Sequence, residues 1–137
     1  MIRQYVLDSS AIIIYIRNSP DASRVRKVFQ EVASGDARAL ISAVNWAECR
    51  NVLIRRHGAE QAVELLDQLS QGVEIVPADQ AHAEAAGDLR CRFNGSLADC
   101  FAASLAISRR ATLVTADPEF EAIKAELKLI RLESTKR

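Results

Sequence analysis

The chain alternates short apolar runs with longer amphipathic stretches, and the alternation is regular enough to predict most of its elements. Tyr5–Leu7 is an apolar run ending at Asp8, and a second apolar run, Ala11–Ile16, follows at once. The first reads as a strand covered on both faces and the second as a helical turn. Asn18-Ser19-Pro20-Asp21 breaks the chain, and Ser19 or Asp21 can cap a helix from about Pro20 to Ala33 with Val25, Val28, Phe29 and Val32 as its apolar stripe. Gly35 ends that helix. Ala37–Ser42 predicts a buried strand, Ala43–His57 a helix capped by Ser42 and stopped by Gly58, and the spacing of Ala62, Val63, Leu65, Leu66 and Leu69 another helix, closed by Gly72. Val73–Val76, Thr112–Thr115 and Lys128–Leu132 predict three more strands. Helices are expected from Asp79 to Arg92, Leu97 to Arg109 and Pro118 to Leu127. Strands alternating with helices imply a parallel sheet covered on both sides, an α/β fold in three α/β/α layers with about five strands.

Composition narrows the class. A chain of 137 residues is one domain, assigned to 1–132, with 133–137 as a frayed polar tail. At 49% hydrophobic and 26% charged it is ordinary for a globular protein, and 5% aromatic content makes the core aliphatic. Eighteen basic and 18 acidic residues leave no net charge, which excludes a general polyanion sponge and allows a local basic rim. Cys49, Cys91 and Cys100 fall within helical patterns without metal-finger spacing and read as reduced, buried thiols. No leader pattern and no run long enough to span a membrane is visible, so a cytoplasmic location is expected.

Four acids stand where solvated acids are not expected. Asp8 ends the first strand, at the carboxyl edge of the sheet, where sites in open α/β folds assemble. Glu48 lies one turn from both Val44 and Val52, on an apolar face, where an unpaired carboxylate costs several kcal/mol unless it protonates, pairs or meets a metal. Asp99 follows Ser96 at capping-box spacing and shares its face with Ala102, Ala103 and Ala106, small residues that allow close approach to the sheet. Asp117 ends the strand holding Thr115 and precedes Pro118-Glu119, a helix-start signal. Helix capping explains Asp8, Asp99 and Asp117 one at a time; a snorkelling side chain explains Glu48. Joint placement points elsewhere. Four carboxylates in one pocket repel one another unless a cation intervenes, and an all-oxygen set without His or Cys selects a hard ion, Mg²⁺ or Mn²⁺. Such an ion supports phosphodiester hydrolysis.

Val6-Leu7-Asp8-Ser9-Ser10-Ala11, the Ser42–Glu48 stretch, Ser96-Leu97-Ala98-Asp99 and Thr115-Ala116-Asp117-Pro118-Glu119-Phe120 resemble, in order and spacing, the motifs of PIN-domain nucleases. Compact length extends the resemblance to the VapC-type toxins of toxin–antitoxin pairs. The resemblance implies a Mg²⁺- or Mn²⁺-dependent endoribonuclease acting on RNA, often a homodimer, neutralised by a VapB-type antitoxin laid across the Ala11–Phe29 and Val44–Leu66 helices. It makes Asp8, Glu48, Asp99 and Asp117 the catalytic metal ligands, with Ser9 and Thr115 as hydroxyls that orient them. A basic rim for RNA is expected among Arg50, Arg55, Arg56, Arg90, Arg92, Arg109 and Arg110. Alternative readings are an RNA-processing nuclease without a toxin role, and an interaction module whose acids only cap helices. A haloacid-dehalogenase-like phosphatase would need a second Asp where this chain has Ser10.

Overall fold

The computed structural model describes residues 2–134. Five strands form one sheet: β1 (Arg3–Leu7), β2 (Ala37–Ser42), β3 (Glu74–Val76), β4 (Thr112–Thr115) and β5 (Lys128–Arg131). They lie in the order β3-β2-β1-β4-β5, and every neighbouring pair is parallel. Because side chains alternate along a strand, the central strands feed two cores. Tyr5, Leu7, Ala39, Ile41 and Val114 face one layer, packed by α1 (Ser9–Ile16), α2 (Ala22–Ala33), α3 (Ala43–His57) and α4 (Ala59–Leu69). Val6, Leu40 and Leu113 face the other, packed by α5 (Gln80–Arg90) and α6 (Leu97–Arg109). Three layers result, with a parallel sheet at the centre, as the alternation of runs predicts.

Local signals fix most boundaries. Ser42 accepts the Asn45 backbone N–H at 3.0 Å and caps α3, and Gly58, at φ +84°, divides α3 from α4 in a conformation that side chains disfavour. Differences from the expected elements have identifiable causes. The segment expected as a helix over Pro118–Leu127 is a 3₁₀ turn confined to Pro118–Ile123, short enough to drop Phe120 and Ile123 into the core before β5. The helix expected from Pro20 begins at Ala22, and that expected over Asp79–Arg92 runs from Gln80 to Arg90. Asp21 makes no side-chain cap; its Oδ2 accepts the Glu133 backbone N–H at 2.6 Å instead. Of the predicted tail, 135–137 lie outside the described residues. Cys49 and Cys100 are buried as expected, but Cys91 is exposed, because it follows the last turn of α5 rather than facing the sheet.

Leu113 is fully buried on the central part of the sheet. Leu113→Ala is expected to lower unfolding free energy by about 2–5 kcal/mol, measurable by urea denaturation, with an unchanged far-UV circular dichroism spectrum.

Candidate active site

The strands β1 and β4 are neighbours, and their carboxyl ends deliver Asp8 and Asp117 to the same edge. Asp8 is buried and held on both oxygens. Its Oδ1 accepts the Ser10 hydroxyl at 2.6 Å and the Ala11 backbone N–H at 3.1 Å, capping α1, while Oδ2 accepts the Thr115 hydroxyl. Ser10 Oγ also accepts the Ala116 N–H at 2.9 Å, and Thr115 Oγ1 accepts the Asp117 N–H at 3.0 Å. These bonds stitch the start of α1 to the chain leaving β4.

Glu48 comes from the second turn of α3. The fully buried stripe of that helix is Asn45, Cys49 and Leu53, so Glu48 lies on its half-buried flank with Val44 and Val52. Two groups position its carboxylate: Ser9 donates to Oε1 at 3.0 Å and Asn45 Nδ2 donates to the same oxygen at 3.1 Å. Asn45, which the sequence reading did not single out, is almost completely buried. Its amide nitrogen also reaches the Ala98 carbonyl at 3.3 Å, and its oxygen accepts the Ser42 hydroxyl. One amide thus ties the entry of α3 to the first turn of α6.

Asp99 sits in that first turn and completes a capping box: Ser96 Oγ accepts the Asp99 N–H at 3.0 Å, and the Asp99 Oδ2 accepts the Ser96 N–H at 3.1 Å. Ala102, Ala103 and Ala106 on the same helix are fully buried, which seats α6 close on the sheet. A Cβ at Gly95 would approach Phe93 ring carbons to 2.6 Å and the Asp99 Cβ to 3.1 Å, so the turn before α6 has no room for a side chain. Asp117 caps the 3₁₀ turn through the Glu119 N–H at 2.9 Å.

Electrostatics report how these acids sit together. Burial pushes the Asp8 carboxyl up from 3.8 to about 6 against the pull of its three donors, and Asp99 adds to that rise. Asp99 is itself raised, first by burial and then by the charges of Asp117 and Glu48. The Cys49 thiol beneath them is driven up to about 12 by burial, with Asp8 and Glu48 contributing. Carboxylate oxygens of Asp99, Asp117 and Glu119 lie within 4.8 Å of one another. Glu119 was read from sequence only as part of a helix-start signal; the tight 3₁₀ turn brings it back beside Asp117. The donor set is all oxygen, with Asp99 and Asp117 half-buried and Glu119 exposed, which suits a hard divalent cation.

The predicted basic rim divides. Arg109 and Arg110 stand at the end of α6, which leads into the amino end of β4, and Arg109 is close enough to Glu74 to lower its pKa. They belong to the opposite edge of the sheet. Arg92 is engaged by Glu126, Arg55 donates to Asn51 at 3.2 Å and Arg90 to the Gly95 carbonyl at 3.4 Å. Arg56 lines a cleft with Ser9, Ser10 and Asp117.

A five-stranded parallel α/β/α domain with acids gathered at its carboxyl edge defines a class of compact proteins built around a carboxylate centre. Within that class the assignment is direct: the sequence profile of the PIN domain matches residues 5–126, and the chain belongs to the PIN-domain family. Among solved structures it is similar to DNA-bound VapBC from Salmonella typhimurium (22% identity, TM-score 0.77, 96% of this chain and 98% of that one). It is also similar to VapBC2 from Rickettsia felis bound to a DNA fragment from the promoter (23%, 0.76, 95% and 99%). A third is VapC20 from Mycobacterium tuberculosis, described as a sarcin-ricin loop cleaving toxin (18%, 0.68, 87% and 94%). At these identities the likeness is one of fold. No protein with a curated description matches the chain.

Because the folded protein holds the Asp8 proton more tightly than the unfolded chain does, Asp8 favours folding below pH 3.8 and loses that contribution as pH rises to about 6. In metal-free protein, stability is therefore expected to decline across this window, and Asp8→Asn to flatten the decline; urea titrations at a series of pH values measure both. Asn45→Ala should destabilise the fold by about 1–3 kcal/mol by stranding buried partners, whereas a nearly unchanged midpoint would show that water replaces the amide.

Proposed function

We propose that this PIN-domain protein is a divalent-metal-dependent endoribonuclease that hydrolyses RNA phosphodiester bonds, acting as a toxin restrained by a VapB-type antitoxin. The observation that carries the reading is the cluster of Asp99, Asp117 and Glu119 carboxylate oxygens within 4.8 Å of one another, at the sheet edge where Asp8 and, through Ser9, Glu48 also stand. Family membership supplies the nuclease class. The VapBC and VapC proteins of similar fold support the toxin assignment.

Mg²⁺ or Mn²⁺ bound here would activate water and offset charge on the phosphate. Asp8, Asp99 and Asp117 are the residues assigned to hold the cation, with Glu119 an addition to the set expected from sequence. Glu48 is assigned to orient the attacking water, its carboxylate steadied by Ser9 and Asn45. Thr115 and Ser10 keep Asp8 in register with β4 and favour its charged form. Between α1, α2 and α4 lies an apolar cleft of about 380 Å³ lined by Tyr15, Ile16, Phe29, Val32, Leu65 and Leu69. It suits the amphipathic segment of an antitoxin, and it lies across the helices expected for that contact.

Asp8→Asn and Asp99→Asn are each expected to reduce cleavage of RNA by on the order of 100-fold or more in excess Mg²⁺, and chelation by EDTA to abolish it. Cleavage of a labelled RNA by purified protein measures both. Parent-level rates in the two variants would refute the proposed roles of these acids. Cleavage unaffected by EDTA would refute the metal requirement.

A further inference from the structure

We infer that the cleft beside the acids, between α1, α3 and the chain leaving β4, is a subsite for one nucleotide of the RNA strand, with Arg17 and Arg56 binding the phosphate next to the one that is cleaved. The inference rests on the nuclease reading and deepens it. The cleft has a volume of about 350 Å³, room for a nucleotide rather than a duplex. It is continuous with the acidic centre, because Ser9, Ser10 and Asp117 line it, and Ser9 and Ser10 are the residues whose hydroxyls hold Glu48 and Asp8. A strand whose scissile phosphate lies at the acids therefore meets this cleft next.

Its walls divide by chemistry. Ile13, Val52 and Pro118 give an apolar face against which a ribose or base can pack, and Arg17 and Arg56 supply the charge. The two guanidinium groups are available in a way most others are not. Arg3, Arg38 and Arg92 are paired with glutamates, Arg24 with Asp21 and Arg131 with Glu121. Arg26, Arg55 and Arg90 donate to neighbouring oxygens. Arg17 and Arg56 are exposed, and among the described residues neither side chain has a hydrogen-bond or ion-pair partner. Both also stand at helix C-termini: Arg17 caps α1 and Arg56 lies in the last turn of α3. There the residual negative dipole favours a cation. Arginine is suited to the role because its planar fork binds two phosphate oxygens at once. Sequence reading included Arg56 in a general rim and passed over Arg17, which the turn after α1 brings to the same cleft.

The test uses the full chain and a short fluorescein-labelled single-stranded oligoribonucleotide, with binding followed by anisotropy in Ca²⁺ and cleavage followed in Mg²⁺. The double variant Arg17→Gln/Arg56→Gln is expected to bind about 10-fold more weakly and to cleave with a raised KM and a kcat within a few-fold of the parent. The slope of log K against log salt should fall by about 0.7, the value for one single-strand phosphate contact. Arg17→Lys/Arg56→Lys should keep most of the slope, and Arg109→Gln/Arg110→Gln, the same charge loss at the far edge, should change neither affinity nor slope. Calorimetry should show Mn²⁺ binding retained in the double Gln variant, which separates a substrate role from collapse of the acidic centre. Equal losses in the two Gln doubles would overturn the subsite in favour of unspecific charge attraction. Unaltered binding in Arg17→Gln/Arg56→Gln while the parent cleaves RNA would overturn it and leave the nuclease reading intact. A parent protein that neither binds nor cleaves the RNA would remove both.

Discussion

Four carboxylates drawn to one edge of a sheet repel one another, and much of the local architecture can be read as the means of holding them there. Burial is the first cause of the raised pKa values of Asp8 and Asp99, and the neighbouring carboxylates add to it. The compensation comes first from the Ser10 and Thr115 hydroxyls at Asp8 and from the backbone at Asp99. Asp8, Asp99 and Asp117 are each the acceptor for N–H groups at the start of a helical segment, α1, α6 and the 3₁₀ turn respectively. Helix N-termini carry partial positive charge, so the fold aims three of them at the place where anions gather. Capping explains each acid taken singly, and the same three N-termini are what gather the acids at one edge.

Hydroxyls and one amide then set orientation. Ser10 and Thr115 bracket Asp8, and Ser9 and Asn45 bracket Glu48. Since Ser9 and Ser10 are adjacent, the first turn of α1 addresses two carboxylates from different strands and helices. A shift of α1 against β4 would therefore disturb Asp8 and Glu48 together. The buried Asn45 does the equivalent work on the far side, fixing α3 against the start of α6.

The sheet, its parallel sense and the layers were legible because strand and helix periodicities differ and because Gly58, Ser42 and Ser96 punctuate the chain with unambiguous local chemistry. Asp8 and Asp117 were legible as strand-end acids. What sequence could not supply was tertiary direction. Arg109 and Arg110 resemble rim residues until the topology puts the end of α6 at the amino edge of β4. Glu119 looks like helix-start punctuation until the helix proves to be a tight 3₁₀ turn that returns it to Asp117. Asn45 is a polar residue in a buried stripe, a signal visible in the spacing of Asn45, Cys49 and Leu53 but masked by attention to Glu48.

The bond from Thr115 to Asp8 joins positions 107 apart, and β4 lies directly beside β1. Every sheet neighbour that aligns Asp117 with Asp8 is made late in translation, after α6 has been synthesised. A nascent chain emerging from the ribosome thus carries Asp8 and Glu48 long before their counterparts exist, and the centre closes only when the last quarter of the polypeptide is free to dock.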